Sequence, residues 1–500
     1  MTDALRELKQ RIGEITDLNR AAAVLGWDQQ TYMPAGGAVE RANQISTLSR
    51  LSHEALVAPR TGELLATLSD QVDELCTDSD DACLVHYLQH KYEKTVKVPV
   101  EHVTEFSRLT ALAQHAWEEA KDANDFATFQ PHLRKIIQMR QEYASFFADA
   151  EHVYDPLLDD FERGLTTRQL RKIFGELRPL QVDLLQRIRA AKQVDNDFLF
   201  LNYDEDKQWD FGVEVIRKFG YDFKSGRQDR SIHPFTTSFA IDDVRITTRL
   251  NANDLQPGLF GTMHEAGHAL YEMGISRSLE RTPLAQGCSL GIHESQSRLW
   301  ENIIGRSMDF WTHFYPQLKK AFPSQLGTVG LTDFYNGINR VESSLVRVEA
   351  DEATYNLHVM LRLELEIALM EGSLDVVDLP EAWDLKMEEY LGIRPTTAGE
   401  GVLQDVHWSC GLFGYFPTYA LGNLVAAQLW DCMNLDLPDL SSSIRVGEFA
   451  PLLDWLRTKF HRHGAKFTPQ DLLKRVTGGG ISCRPYMNYL ETKYSAIYGL

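Results

Sequence analysis

Apolar residues recur at three- and four-residue steps along most of this chain, a period that admits little besides a helical fold. Leu5, Leu8, Ile12, Ile15 and Leu18 form one such stripe behind Thr2 and Asp3, which are suited to cap a helix N-terminus. Leu170, Ile173, Phe174, Leu177, Leu184 and Ile188 repeat the pattern after Thr166 and Thr167. Thr468-Pro469-Gln470-Asp471 supplies a capping hydroxyl followed by proline at the first helical position. The run from about Val341 to Met370 reads as one long helix ending near Gly372.

One stretch departs from this period. Between Ser231 and Leu250 the chain is rich in Thr, Ile, Val and Phe, and Val244, Ile246, Thr248 and Leu250 alternate with Asp243, Arg245, Thr247 and Arg249. Alternation by twos is the mark of a half-exposed strand, and Asp242-Asp243 suits a turn between two of them. A small antiparallel sheet is therefore expected. No linker, low-complexity tract or internal repeat divides the chain, which reads as one mainly α domain, 1–500, whose mass can form two lobes around a cleft.

The formal charge of -20 excludes non-specific nucleic-acid binding, which needs a positive surface. Nothing approaches the roughly 18 consecutive apolar residues of a membrane span, and no basic segment followed by an apolar one opens the chain. Its six cysteines are scattered without a CxxC pair, as in a reducing compartment. A soluble, cytoplasmic protein is the expectation.

Directly after the strand region stands His264-Glu265-Ala266-Gly267-His268. Residues four apart on a helix share a face, so both imidazoles can chelate one Zn²⁺ with Glu265 beside it. The competing view is two surface histidines around a solvated glutamate. With 16 histidines in the chain, chance supplies only about 0.04 copies of this pattern, which favours the metal. Catalytic zinc usually takes three protein ligands. Glu294, 26 residues on, is the leading third ligand, because a helix can end and turn back over that distance; His293 and Glu301 compete for the role. Such a site carries out metal-assisted amide hydrolysis, with Glu265 moving the proton.

Further motifs give this arrangement a family. They are Trp27-Asp28-Gln29-Gln30-Thr31-Tyr32-Met33-Pro34, His233-Pro234-Phe235, Asp243-Val244-Arg245-Ile246-Thr247, His293-Glu294-Ser295-Gln296-Ser297, Val346-Arg347-Val348-Glu349-Ala350-Asp351 and Gly401-Val402-Leu403-Gln404-Asp405-Val406-His407-Trp408. With the histidine helix they resemble the M32 metallocarboxypeptidases, a thermostable-carboxypeptidase-like group. The resemblance implies a large helical metallopeptidase fold with a deep active-site groove and a small sheet beside it. It also implies a homodimer that removes C-terminal residues from peptides with a free C-terminus. By carry-over, His264, His268 and Glu294 bind one zinc per chain, with cobalt as the alternative, and Glu265 is the acid/base.

A carboxypeptidase must recognise a free carboxylate, for which a planar guanidinium is the natural partner. Within the expected long helix Arg347 has Asp351 one turn later, the spacing of an ordinary surface ion pair. The family match instead favours Arg347 as the carboxylate receptor. Gln404, Asp405, His407 and Tyr419 are further substrate-binding candidates, the last as a donor to the oxyanion or the carboxylate. His233 and Arg245 are expected in the cleft wall. Two other functions fit the same residues: an oligopeptidase cutting internal bonds of short peptides, and a non-catalytic zinc-binding protein.

Overall fold

A computed structural model describes residues 2–72 and 76–500. Helices form where the apolar stripes lie. Helix α1 (Asp3–Thr31) opens with the Thr2 hydroxyl accepting the Leu5 N–H at 3.3 Å and buries Leu5, Leu8, Ile12 and Ile15. Burying each of those aliphatic side chains contributes about 1.5–3 kcal/mol. Thr166 and Gln169 cap the helix Thr167–Ala190 reciprocally, and Thr468 caps Pro469–Thr477.

The strand region forms a three-stranded sheet of order β1-β3-β2, with β1 Gln228–Arg230, β2 Thr236–Ala240 and β3 Asp243–Thr248. Strands β2 and β3 are the antiparallel pair expected from the alternation, joined through Ile241 and Asp242. Strand β1 adds a parallel edge, so the sheet is mixed.

Helix α2 (Leu255–Met273) carries the two histidines and begins at Asp254, whose side chain accepts the Gln256 N–H at 3.0 Å. Helix α3 (Leu290–Arg298) is capped by Ser289 and runs on as a π-turn over Leu299–Ile304. The long helix expected from Val341 starts only at Tyr355: helix α4 spans Tyr355–Glu371 and ends at Gly372 in the left-handed region. Before it, Asp351 turns the chain by accepting the N–H groups of Glu342, Ala353 and Thr354, and Gln404 takes the Arg347 N–H. Those side-chain acceptors satisfy backbone donors that a helix would have used. Helix α5 (Pro417–Asp436) completes the surroundings of the histidines.

Close approach fixes these helices. A Cβ on Gly267 would stand 2.7 Å from the Gln296 carbonyl oxygen, and one on Gly422 would stand 2.6 Å from Cγ of Glu294. Helix α3 thus lies in contact with α2 on one side and α5 on the other. The core falls into two clusters. The larger takes in Val244, Ile246, Leu259 and Leu270, and the smaller joins the N-terminal helices to Ile241, Ile275 and Leu284. The hairpin and α2 stand at their seam.

Candidate active site

Helical spacing brings His264 and His268 together, with ring centroids 4.9 Å apart. Their Nε2 atoms lie 3.8 and 3.6 Å from Oε2 of Glu294. These three are the one cluster of His, Cys, Asp or Glu among the described residues arranged to hold a metal ion. The separations are slightly wider than the roughly 3.3 Å between two tetrahedral ligands at 2.0–2.1 Å from a zinc. Side-chain exposures of 19% and 16% leave the imidazoles reachable from solvent.

The outer face of each imidazole fixes its tautomer. Nδ1 of His264 lies 2.8 Å from Oε2 of Glu301, so it carries the hydrogen and leaves Nε2 a free lone pair. Nδ1 of His268 lies 2.6 Å from Nδ1 of His293, whose Nε2 is 2.9 Å from Glu272. For His268 to present a lone pair inward, it donates to His293, which donates in turn to Glu272. Two neutral imidazoles and one carboxylate converging on a point with no proton between them make a donor set that fits a borderline divalent cation.

Glu294, Arg298 and Glu301 share one face of α3 and its continuation, at steps of four and three. Arg298 Nε donates to Oε1 of Glu294 at 2.6 Å and Nη1 to Glu301 at 3.3 Å, so Oε2 of Glu294 is left facing the imidazoles. Burial would raise the Glu301 carboxyl, but Arg298 and His264 outweigh it and hold it at about 2. Burial also lowers His264, yet Glu294 and Glu301 prevail and its pKa lies above the ordinary value. At Nδ1 His268 meets His293 where His264 meets a carboxylate; burial and then the neighbouring His293 press its pKa well below the ordinary value. Glu265 is buried and raised by desolvation, and the Thr236 hydroxyl on β2 donates to its Oε2 at 2.6 Å.

A second polar cluster lies across α4. Arg347 Nε and Nη2 both donate to Oδ1 of Asp405, at 3.1 and 2.7 Å, and Nη1 donates to the Tyr355 hydroxyl at 2.8 Å. Arg362, fully buried, takes the other Asp405 oxygen at 2.6 Å. Two guanidiniums against one carboxylate leave this cluster with a positive charge. His407 packs on Phe416 at 4.5 Å, and its Nε2 lies 3.4 Å from the Tyr419 hydroxyl. Burial pushes His407 down to about 4; the arginines add to that, against Asp405. Burial holds the Tyr419 phenol protonated.

Comparison with known proteins shows the family of the chain. The family model of the carboxypeptidase Taq (M32) metallopeptidases matches residues 7–494. A thermostable carboxypeptidase 1 from Thermus thermophilus is 43% identical, covering 97% of both chains. Carboxypeptidase 1 from Bacillus subtilis is 40% identical over 99% of this chain and 98% of its own. The crystal structure of an M32 carboxypeptidase from Deinococcus radiodurans superposes with a TM-score of 0.97 at 40% identity, over the whole of both chains. The chain belongs to the M32 family. It is a metallocarboxypeptidase, a peptide hydrolase that works with a divalent metal ion.

At Arg347 the M32 fold departs from the sequence expectation. Arg347 sits in a 3-10 turn (Arg347–Glu349) and its partner is Asp405, because Asp351 has ended the helical path. Asp405 is divided between two arginines. Gln404 uses its oxygen on the Arg347 N–H and Arg362 and its amide on two carbonyls. Arg245 pairs with Asp243 and lies 4.5 Å over the Trp27 ring, tying α1 to the sheet. His233 is exposed, and its carbonyl accepts from Ser231. His293 and Glu301, weighed as ligands, instead orient the imidazoles. Arg298 is a functional residue beyond those expected, and its position four residues after Glu294 is the signal that points to it. Thr236, Tyr355 and Arg362 gave no such signal.

Proposed function

We propose that one zinc ion is held by His264, His268 and Glu294, that Glu265 moves the proton, and that Arg347 faces the terminal carboxylate of a peptide. The observation that carries this reading is the convergence of three donor atoms whose outer sides are locked by Glu301, His293 and Arg298. Zinc bound there, with cobalt as the alternative, supplies Lewis acidity toward the scissile carbonyl and toward water.

The chain's own groups do the rest. With Oε2 fixed by Thr236, Glu265 takes a proton from the attacking water as the new C–O bond forms. It returns that proton to the amine nitrogen as the C–N bond breaks. Its burial favours the proton-carrying form, which suits a group that must hold a proton between the two steps. Tyr419, kept protonated, and His407, neutral at pH 7, are hydrogen-bond donors for the oxyanion or the carboxylate. The positive charge left over among Arg347, Arg362 and Asp405 supports an anionic partner there, and three of the five Arg347 N–H bonds are engaged, which leaves two.

The proposal extends to a single catalytic domain acting as a cytoplasmic homodimer. Among the described residues no helix is long and apolar enough to cross a membrane. Light scattering tests the dimer. The mechanism is tested by mass spectrometry of products from paired peptides with free and amidated C-termini, with and without a chelator. Loss of single C-terminal residues from the free acids alone, abolished by the chelator, is the expected result. Equal cleavage of both peptides would move the reading to an oligopeptidase.

A further inference from the structure

Between the metal-facing residues and the proposed carboxylate receptor stands one aromatic ring. Tyr355, the first residue of α4, is 6% exposed and touches both ends of the site. The Arg298 guanidinium lies 4.4 Å from the centre of its ring, while Arg298 Nε holds Glu294. At the far end of the same ring, the hydroxyl accepts from Nη1 of Arg347 at 2.8 Å. Among the described residues Arg347 is the hydroxyl's one hydrogen-bond partner. The Tyr419 ring meets Tyr355 edge-on, at 6.1 Å and 88°.

We propose that Tyr355 is a positioning residue that sets the distance between the metal centre and the receptor for the substrate's terminal carboxylate. The inference rests on the reading of Arg347 as that receptor. An enzyme that hydrolyses only the last peptide bond needs a fixed span from the carboxylate to the scissile carbonyl. Arg298 and Arg347 are long, rotamer-rich side chains that would not fix that span alone. A phenol has two torsions and a rigid body. Its face attracts the cation on the metal side, and its hydroxyl holds the cation on the receptor side. The two contacts use different parts of one side chain, so they can be removed separately.

Two variants separate them. Tyr355→Phe keeps the ring over Arg298 and removes the hydroxyl. KM for a free-acid peptide should rise roughly 10- to 150-fold, as for loss of a hydrogen bond to a charged group, with kcat within about threefold. Preference for the free acid over its amide should fall by the same factor. Zinc affinity, read by competition of the metal alone with a chromophoric chelator, should stay within about twofold of wild type because the ring remains. Tyr355→Leu removes the face as well, so zinc affinity should weaken by roughly 3- to 10-fold besides.

The proposal is overturned if Tyr355→Phe leaves KM and the acid preference within about twofold, or if it weakens zinc as much as Tyr355→Leu does. Should the leucine variant fail to fold, the near-isosteric phenylalanine variant decides alone. The wild type's preference for acid over amide tests the receptor reading separately. Equal cleavage there overturns that reading and this one together, whereas a normal wild type with an unaffected phenylalanine variant overturns only the role of Tyr355.

Discussion

The two ends of the site are built with opposite charge and by opposite routes. At the metal end the carboxyls of Glu294 and Glu301 share a single guanidinium, that of Arg298, beside two imidazoles and the Glu265 carboxyl, which the Thr236 hydroxyl holds. At the other end Arg347 and Arg362 face a single carboxylate, that of Asp405. One end lacks a cation and the other lacks an anion, which is the complementarity demanded by a metal and a peptide terminus. The metal end comes from two adjoining helices. The receptor end joins a 3-10 turn, the interior of α4 and a loop more than forty residues beyond Arg362. Local helical period builds the first, and long-range packing builds the second.

The largest test of this contrast is at the ligands. His264→Ala or His268→Ala should abolish both metal binding and activity, measured by metal analysis and peptide turnover, because two remaining ligands do not hold catalytic zinc. Glu265→Gln should keep its metal and lose roughly 10²–10⁴ in kcat, since the amide cannot accept the proton. A Glu265→Gln enzyme that also lost its metal would break the division between binding and chemistry.

At the receptor end, Arg347→Ala should lower kcat/KM roughly 30- to 5000-fold, the effect of truncating one partner of a buried charge pair. Arg347→Lys should recover only part of it, because a point charge cannot reproduce the fork. Metal content should be unchanged in both. If Arg347→Ala emptied the metal site, the two ends would not be separable units.

Acid should act at the metal end through one histidine. Glu294 and Glu301 hold His264 above its ordinary value of 6.5, whereas burial keeps His268 well below it. A group with a raised pKa carries its proton at the lower pH, so the metal must displace a proton from His264 alone. Metal affinity should therefore fall about tenfold per pH unit below the His264 pKa and level off above it. A hundredfold fall per unit, showing two competing protons, would contradict the asymmetry. Chelator competition across pH measures the slope.

The smallest effect concerns packing. Gly422→Ala places a methyl group where Glu294 now passes, and overpacking of this kind costs roughly 1–3 kcal/mol. Metal affinity should drop about tenfold with a lowered melting temperature, while the acid-over-amide preference survives. Loss of that preference would mean that α5 positions the receptor as well.

Legibility of the molecule in its sequence follows the same division. Stripes at three- and four-residue steps locate α1 and the capped helices because helix formation depends on near neighbours. Alternation by twos finds β3 for the same reason. The segment from 341 to 354 reads as helix because apolar spacing continues through it, yet Asp351 and Gln404 capture its backbone donors. Only the folded chain brings Gln404 to Arg347.

The sequence by itself determined that this chain is helical, that His264, Glu265 and His268 share one helical face, and that Glu294 opens a second helix able to return to them. Each of those facts depends on the fixed geometry of one or two turns of backbone. The tertiary structure alone decided that His293 and Glu301 stand behind the imidazoles, that Asp405 divides between Arg347 and Arg362, and that Tyr355 spans Arg298 and Arg347. Those pairings join segments whose separation along the chain carries no period. Close packing of α3 between α2 and α5, permitted by Gly267 and Gly422, and burial of α4 bring them within reach.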